Sequence, residues 1–299
     1  MKRKIIFSGC SFTWGQSLWA YEDIPNIPNA HQWTALNHEI SEDIQETRKK
    51  YRFPEIVCNK LGNYEPIVKL LNGGTDEESV RFVDLVVDCN PEMLQHTNLT
   101  NQVYELDEID AVVFQTTQAY RSSYPFTYKG ENYNLFSTPD MKNFSKVEKY
   151  IVNKNEIGDI ISDESIEIEN GIDLFIEYLI SKNIKVEDFE NEHKKLLADS
   201  IENLLKKWYD RGKKVFLLCW TDEYLEEINK RPFLKSIFVP LQYDNRTFTH
   251  IHELFYYNEE MKIDKHIKNR DMGSDEHPSS ICHEVIADSI IKKWENKLI

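Results

Sequence analysis

The chain has little cysteine and none of it in pairs: five residues in 299, at Cys10, Cys58, Cys89, Cys219 and Cys282, with no C-x-x-C. That excludes a zinc knuckle and gives no support to a disulfide framework, leaving free thiols as the simpler account. It is poor in positive charge, with 36 Lys and Arg against 51 Asp and Glu and a formal net charge of −15. No dense basic cluster offsets this, so a nucleic-acid backbone or an anionic membrane surface is excluded as the main partner, and a neutral or weakly charged ligand suits the chain better. No apolar run approaches membrane-spanning length, and the short apolar part after Met1-Lys2-Arg3-Lys4 is too brief for a signal peptide, so a soluble, cytoplasmic protein without a membrane span is expected. Internal repeats, low-complexity linkers and a Gly-rich phosphate loop with Lys are absent as well. His31, His250, His252 and His266 lack tight metal-ligand spacing, so no metal or organic cofactor is expected.

What is present is an alternation of short apolar runs and amphipathic segments. Ile5-Ile6-Phe7 reads as a first strand ending in the turn Ser8-Gly9-Cys10-Ser11. The stretch Gln16 to Lys50 has aromatics and prolines without periodicity and is expected to be an irregular insertion, either a lid beside the turn or a surface excursion. Phe53, Ile56, Val57 and Leu61 have helical spacing, with Gly62-Asn63 as the stop. Pro66 to Leu71 reads as a second strand running into Asn72-Gly73-Gly74-Thr75, where Thr75 and Glu78 make a capping-box pattern for a helix carrying Val80, Val83 and Val87. Ala111 to Phe114 is a third strand, closing in Gln115-Thr116-Thr117-Gln118. Ser122 to Lys185 is expected to be a second insertion, with the acidic run Ser162 to Glu169 as solvated surface. A helix with Leu197, Ile201, Leu204, Leu205 and Trp208 on one stripe precedes the strand Val215 to Trp220; Ile237 to Leu241 is a fifth strand candidate, and the chain ends in a helix through Ile281, Val285, Ile290 and Trp294. Such alternation predicts one α/β domain over residues 1–299 with a parallel, doubly wound sheet and its ligand chemistry at the carboxyl ends of the strands.

Three turns converge on that edge: Ser11, Gly73-Gly74, and Gln115 to Gln118, with the loop Asp275-Glu276-His277-Pro278 able to reach it before the last helix. A serine becomes a nucleophile at neutral pH only with a base, and the base is best oriented by a carboxylate on its other ring nitrogen. His277 and Asp275 supply that pair, and the backbone amides of Ser11 and Gly74 are plausible donors to an oxyanion. The other reading of Ser11 is a turn or capping serine, and of His277 a loop histidine bonded to backbone. His283 is expected to be structural.

These residues carry a resemblance. Gly9-Cys10-Ser11-Phe12 resembles the first block of the SGNH/GDSL hydrolases, Gly73-Gly74 that family's second-block glycine, and Asp275-Glu276-His277-Pro278-Ser279 its last block. The resemblance implies a three-layer α/β/α sandwich with a five-stranded, flavodoxin-like parallel sheet, and hydrolysis of an acyl, often acetyl, ester of a small molecule or glycan. It implies Ser11 as nucleophile, His277 as base, Asp275 as orienter, and the Ser11 and Gly74 amides as oxyanion donors. The chain departs from the family in having Cys10 where aspartate is usual, and in placing Asp275 two residues before His277 instead of three, which leaves Asp271 and Glu276 as rival orienters. The third-block asparagine is missing; Gln118, Gln115 or Thr117 could donate in its place. Trp14, Trp19 and Trp33 could stack on a sugar ring or pack in the core, and Arg121 could hold an anionic group or an acidic side chain. The alternative to an esterase is a weak or inactive SGNH-like domain that binds a glycan or a protein.

Overall fold

In the computed structural model, which describes residues 2–10, 13, 18, 42–69, 75–88, 102–117, 122–137, 146–154, 160–262 and 277–296, the chain divides into two units. One comprises Met1–Gly74, Glu78–Thr117 and Ala198–Ile299, the other Thr75–Glu77 and Gln118–Leu197.

The first unit is built on a parallel sheet. Its strands are β1 (Arg3–Ser8), β2 (Tyr64–Val68), β3 (Ile109–Gln115) and β8 (Lys214–Leu218), in the order β2-β1-β3-β8. Ile5, Phe7, Ala111, Val113, Phe216 and Leu218 are buried on one face; Ile6, Val112, Phe114, Val215 and Leu217, which alternate with them, are buried as well. Strands buried on both faces read as continuous apolar runs, which is why these segments stand out in the sequence. The first face packs on Phe53 and Val57 of helix α2 (Phe53–Leu61) and on Val285, Ile286, Ile290 and Trp294 of the last helix. Helix α2 follows α1 (Glu42–Tyr51), starts with Pro54 in its first turn and stops at Gly62, whose φ of +91° is costly for any other residue. Helix α3 (Asp76–Asp88) lies between β2 and β3.

The second unit contains an antiparallel meander, β4 (Ser122–Tyr128), β5 (Glu131–Ser137), β6 (Lys146–Lys154) and β7 (Ile160–Glu167), paired in that order. Helix α4 (Gly171–Ser181) packs Phe175 and Leu179 against Phe126, Tyr133, Leu135 and Val147. A Cβ on Gly171 would lie 2.5 Å from the Val147 Cβ, so only glycine lets the helix start this close to β6. Helix α5 (Val186–Asp210) contains the boundary between the units.

After β8 come two short helices, α6 (Leu225–Lys230) and α7 (Pro232–Ile237), the hairpin β9 (Leu241–Tyr243) and β10 (Arg246–Phe248), then α8 (Ile251–Tyr257) and the closing helix α9 (Ser280–Asn296).

Three of the expected features take a coarser or a different form. Among the described residues the sheet has four parallel strands, and a fifth full strand is not among them. The segment read as the fifth ends α7 at Ile237 and meets β8 at a single parallel bridge, Leu217 to Phe238, with the Val239 amide donating to the Leu217 carbonyl at 2.9 Å. Pro240 follows at once and has no amide to continue the ladder. The stretch expected to be irregular from Gln16 to Lys50 ends in α1, whose buried Thr47 and Arg48 gave no apolar periodicity to read. The acidic run from Ser162 to Glu169 falls largely in strand β7, paired with β6, and its Ile166, Glu167 and Glu169 are exposed, in keeping with a solvated surface.

Candidate functional site at the carboxyl edge of the sheet

At the end of β1 the Ser8 hydroxyl turns inward and donates to the Ser79 carbonyl of α3 at 2.8 Å. A Cβ on Gly9 would fall 2.3 Å from the Thr13 Oγ1 and 3.0 Å from the Gln115 Cβ, so the next residue has no room for a side chain. Gln115, the last residue of β3, then holds the turn from both sides. Its Oε1 accepts from the Thr13 hydroxyl at 2.8 Å, and its Nε2 lies 3.2 Å from the Cys10 sulfur. Cys10, Thr13 and Gln115 are all buried, so these bonds form out of competition with water. Cys10 and Thr13, on either side of position 11, are therefore both tied to the end of β3. The Thr116 amide continues the anchoring by donating to the Leu218 carbonyl at 2.9 Å.

His277 stands just before the closing helix. It is half-buried, two residues before Ser279, which caps α9: the Ser279 hydroxyl accepts from the Cys282 amide at 3.2 Å and donates to the Glu260 carbonyl at 2.7 Å. The Ser279 amide donates to the Met261 carbonyl at 2.9 Å, and Pro278 stands opposite Lys262 in an antiparallel bridge. One turn into α9, His283 is buried; its Nδ1 accepts the Phe53 amide proton at 3.2 Å, and its ring stacks on Phe53 at 5.7 Å. Phe53 meets Phe7 of β1 edge to face at 5.8 Å. A chain of ring contacts thus links the end of β1 to the start of α9.

The electrostatics of that chain are those of a dry site. Burial pushes the His283 imidazole down to about 3, with His277 and Arg52 adding in the same direction. His283 is therefore neutral at physiological pH, and since Nδ1 accepts from an amide its proton sits on Nε2. Nearby, Arg52 makes a two-pronged ion pair with Glu55, while burial and the adjacent Arg52 pull the Arg48 guanidinium below its ordinary value. Burial raises Cys58 and Cys282 well above a normal thiol, so neither is a nucleophile.

No family model, curated protein or solved structure matches the chain.

Of the residues read as functional, His277 and Thr117 are described, and Thr117 is buried. Ser11, Asp275, Gly74, Gln118, Trp14, Trp33 and Arg121 lie outside the described residues. Gln115, expected as a possible oxyanion donor alongside Gln118 and Thr117, has its carbonyl oxygen engaged by Thr13 and one amide donor on Cys10. His283 is structural, as expected. The reading missed the clamp that Gln115 makes, because its partners are a hundred residues away in sequence and no local pattern encodes them. Cys10 was the available signal: a buried thiol beside a tight turn needs a partner, and the Gln115 side-chain amide supplies one.

A cavity of about 440 Å³ lined by Glu105, Leu106, Asp107, Arg211 and Lys213 lies where the chain enters β3 and β8, at the amino ends of the strands. Parallel sheets present ligand chemistry at the opposite edge. Among the described residues no group of His, Cys, Asp or Glu is arranged to hold a metal, and no helix is long and apolar enough to cross a membrane.

Proposed function

We propose that this chain is a divergent SGNH-type serine hydrolase acting on an acyl ester. The supporting observation is the anchoring of the Gly9 to Thr13 turn on Gln115 at the carboxyl edge, with the His277 end of α9 joined to the same strand end through Phe7, Phe53 and His283. The strand order β2-β1-β3-β8, with Phe238 bridging beyond β8, fits a flavodoxin-like sheet, and strands buried on both faces fit a three-layer sandwich.

In this reading the Ser11 oxygen attacks the acyl carbonyl as its proton passes to His277. The carbonyl electrons move to oxygen, held by the amides of Ser11 and Gly74 with Thr117 or Gln118 as side-chain donor. As the tetrahedral species collapses, the alcohol leaves and takes the proton from the imidazolium. A water, deprotonated by His277, then attacks the acyl-enzyme and releases the acid and free Ser11. Asp275 holds the imidazole in the tautomer this needs. Losing one oxyanion donor costs about 2.7–4 kcal/mol, so an enzyme without the family's asparagine is expected to be slow, by a factor of about 10²–10³.

The test is a panel of short-chain acyl esters and a fluorophosphonate probe, with Ser11→Ala and His277→Ala as controls. Turnover and labelling lost in both variants support the reading; a folded wild type that does neither sinks it. The second reading, an SGNH-like binding domain, is favoured by one feature, Gln115-Thr116-Thr117-Gln118 in place of the asparagine block, and is the outcome left if the first fails.

A further inference from the structure

Helix α4 buries one apolar stripe and exposes another. Phe175 and Leu179 sit in the cluster on the meander, while Ile172, Ile176 and Ile180, four residues apart on the neighbouring stripe, are 37%, 37% and 70% exposed. Ile166, in the strand β7 that precedes the helix, is exposed as well. Among the described residues the exposed large aliphatic side chains are these four and Leu196, and all five belong to the second unit. Apolar residues scattered singly on a surface are ordinary, but three on one ridge of an 11-residue helix make a face. Exposed helical positions are usually filled by Ala, Glu, Lys or Arg, and a helix apolar on two sides is expected to pack on two sides.

Residues at i, i+4 and i+8 form the kind of ridge that two helices interdigitate when they pack. This ridge matches itself in reverse. About a two-fold axis at Ile176, antiparallel copies set the protruding Ile180 of one against the recessed Ile172 of the other, and Ile176 against its own counterpart. The charges follow the same symmetry. The approach to α4 carries Glu167 and Glu169 and its exit carries Lys182 and Lys185, all four exposed. Antiparallel pairing therefore brings the acidic approach of each copy toward the basic exit of the other, whereas a parallel pair would set like charges together. Of the two acids that flank the stripe, Asp173 and Glu177, the second is paired with Lys129 at 3.3 Å. The formal charge of −15 opposes association only at short range in physiological salt, where the Debye length is about 8 Å.

We propose that the face of α4 bearing Ile172, Ile176 and Ile180 is a homodimer interface, on which a second copy of this chain packs its own α4 antiparallel to the first. The interface is independent of the hydrolase reading, and its test involves no turnover. Sedimentation velocity of the full-length protein in about 0.15 M salt, from about 1 to about 200 μM, is expected to show the mass rising from that of one chain toward that of two, with half assembly below about 100 μM. Ile176→Asp, which sets two carboxylates against each other on the axis, and Ile180→Asp are each expected to raise the dissociation constant by about tenfold or more. Both positions are exposed, so the variants are expected to keep the wild-type fold, and circular dichroism checks this. Glu167→Lys with Glu169→Lys is expected to weaken the dimer, as is Lys182→Glu with Lys185→Glu, and all four changes in one chain are expected to bring the dissociation constant back to within about threefold of wild type. Folded monomer at every concentration, a dimer indifferent to Ile176→Asp and Ile180→Asp, or four reversals that fail to restore what two removed: each of these overturns the proposal.

Discussion

Gln115 does at the candidate site what a loop sequence alone could not: a buried amide from one strand end fixes the hydroxyl of Thr13 and the thiol of Cys10 on either side of position 11. Gln115→Ala leaves two buried polar groups to find new partners, and is expected to lower the unfolding free energy by about 1–3 kcal/mol and to reduce ester turnover more than that loss of folded protein explains. Denaturant titration and the kcat of the folded fraction separate the two effects. Gly9→Ala forces its methyl against the Thr13 oxygen, with an expected cost of about 1–3 kcal/mol for overpacking. His283 sets a pH dependence. Its folded pKa of about 3 is below the ordinary histidine value, so the unfolded chain binds a proton that the native state refuses. Stability from this group is whole above about pH 6.5 and falls as pH drops toward about 3, with a limiting slope near 1.4 kcal/mol per pH unit. Urea unfolding across that range is expected to show the slope in wild type, and a reduced one in His283→Gln.

Helix α9 carries the candidate base on its capped end, so the cap matters beyond the helix. Ser279→Ala removes an acceptor for the Cys282 amide and a donor to the Glu260 carbonyl, both buried or nearly so, and is expected to cost about 1–2 kcal/mol and to raise amide exchange at the start of α9. The strands and helices that the sequence revealed are those whose pattern is local: runs buried on both faces for β1, β3 and β8, and the apolar stripes of α2, α5 and α9. Those it hid depend on distant partners. Helix α1 buries Thr47 and Arg48 in place of an apolar stripe, and β4 to β7 alternate polar and apolar residues too weakly to declare strands without their neighbours. The hairpin turns were there to be read, since Lys129-Gly130 and Asp244-Asn245 both take the positive φ values of tight two-residue turns. The candidate blocks stand out in the sequence because each is a short run of turn-forming residue types; the clamp on Cys10 and Thr13 does not, because a side-chain contact between distant segments leaves no periodic trace.

For the molecule as a whole, an acidic chain with scattered cysteines keeps its described thiols out of reach: Cys10, Cys58, Cys219 and Cys282 are buried thiols outside any disulfide. These four are expected to be silent to an aromatic disulfide reagent in the native protein and to react in denaturant, so fast reaction of any of them would contradict the packing around β1, α2 and α9. The meander has its own apolar cluster, and Phe126→Ala or Phe175→Ala there is expected to cost about 3–5 kcal/mol. Hydrogen exchange is expected to show lost protection in β4 to β7 first, since that cluster is confined to the second unit. The hydrolase proposed here depends on a reactive Ser11 after β1 under the control of His277. Mass spectrometry of the fluorophosphonate-treated protein tests it most directly: the expected result is a single adduct on the peptide bearing Ser11, absent when His277 is replaced by Ala, and a folded wild type that carries no adduct, or carries it on another serine, contradicts the account.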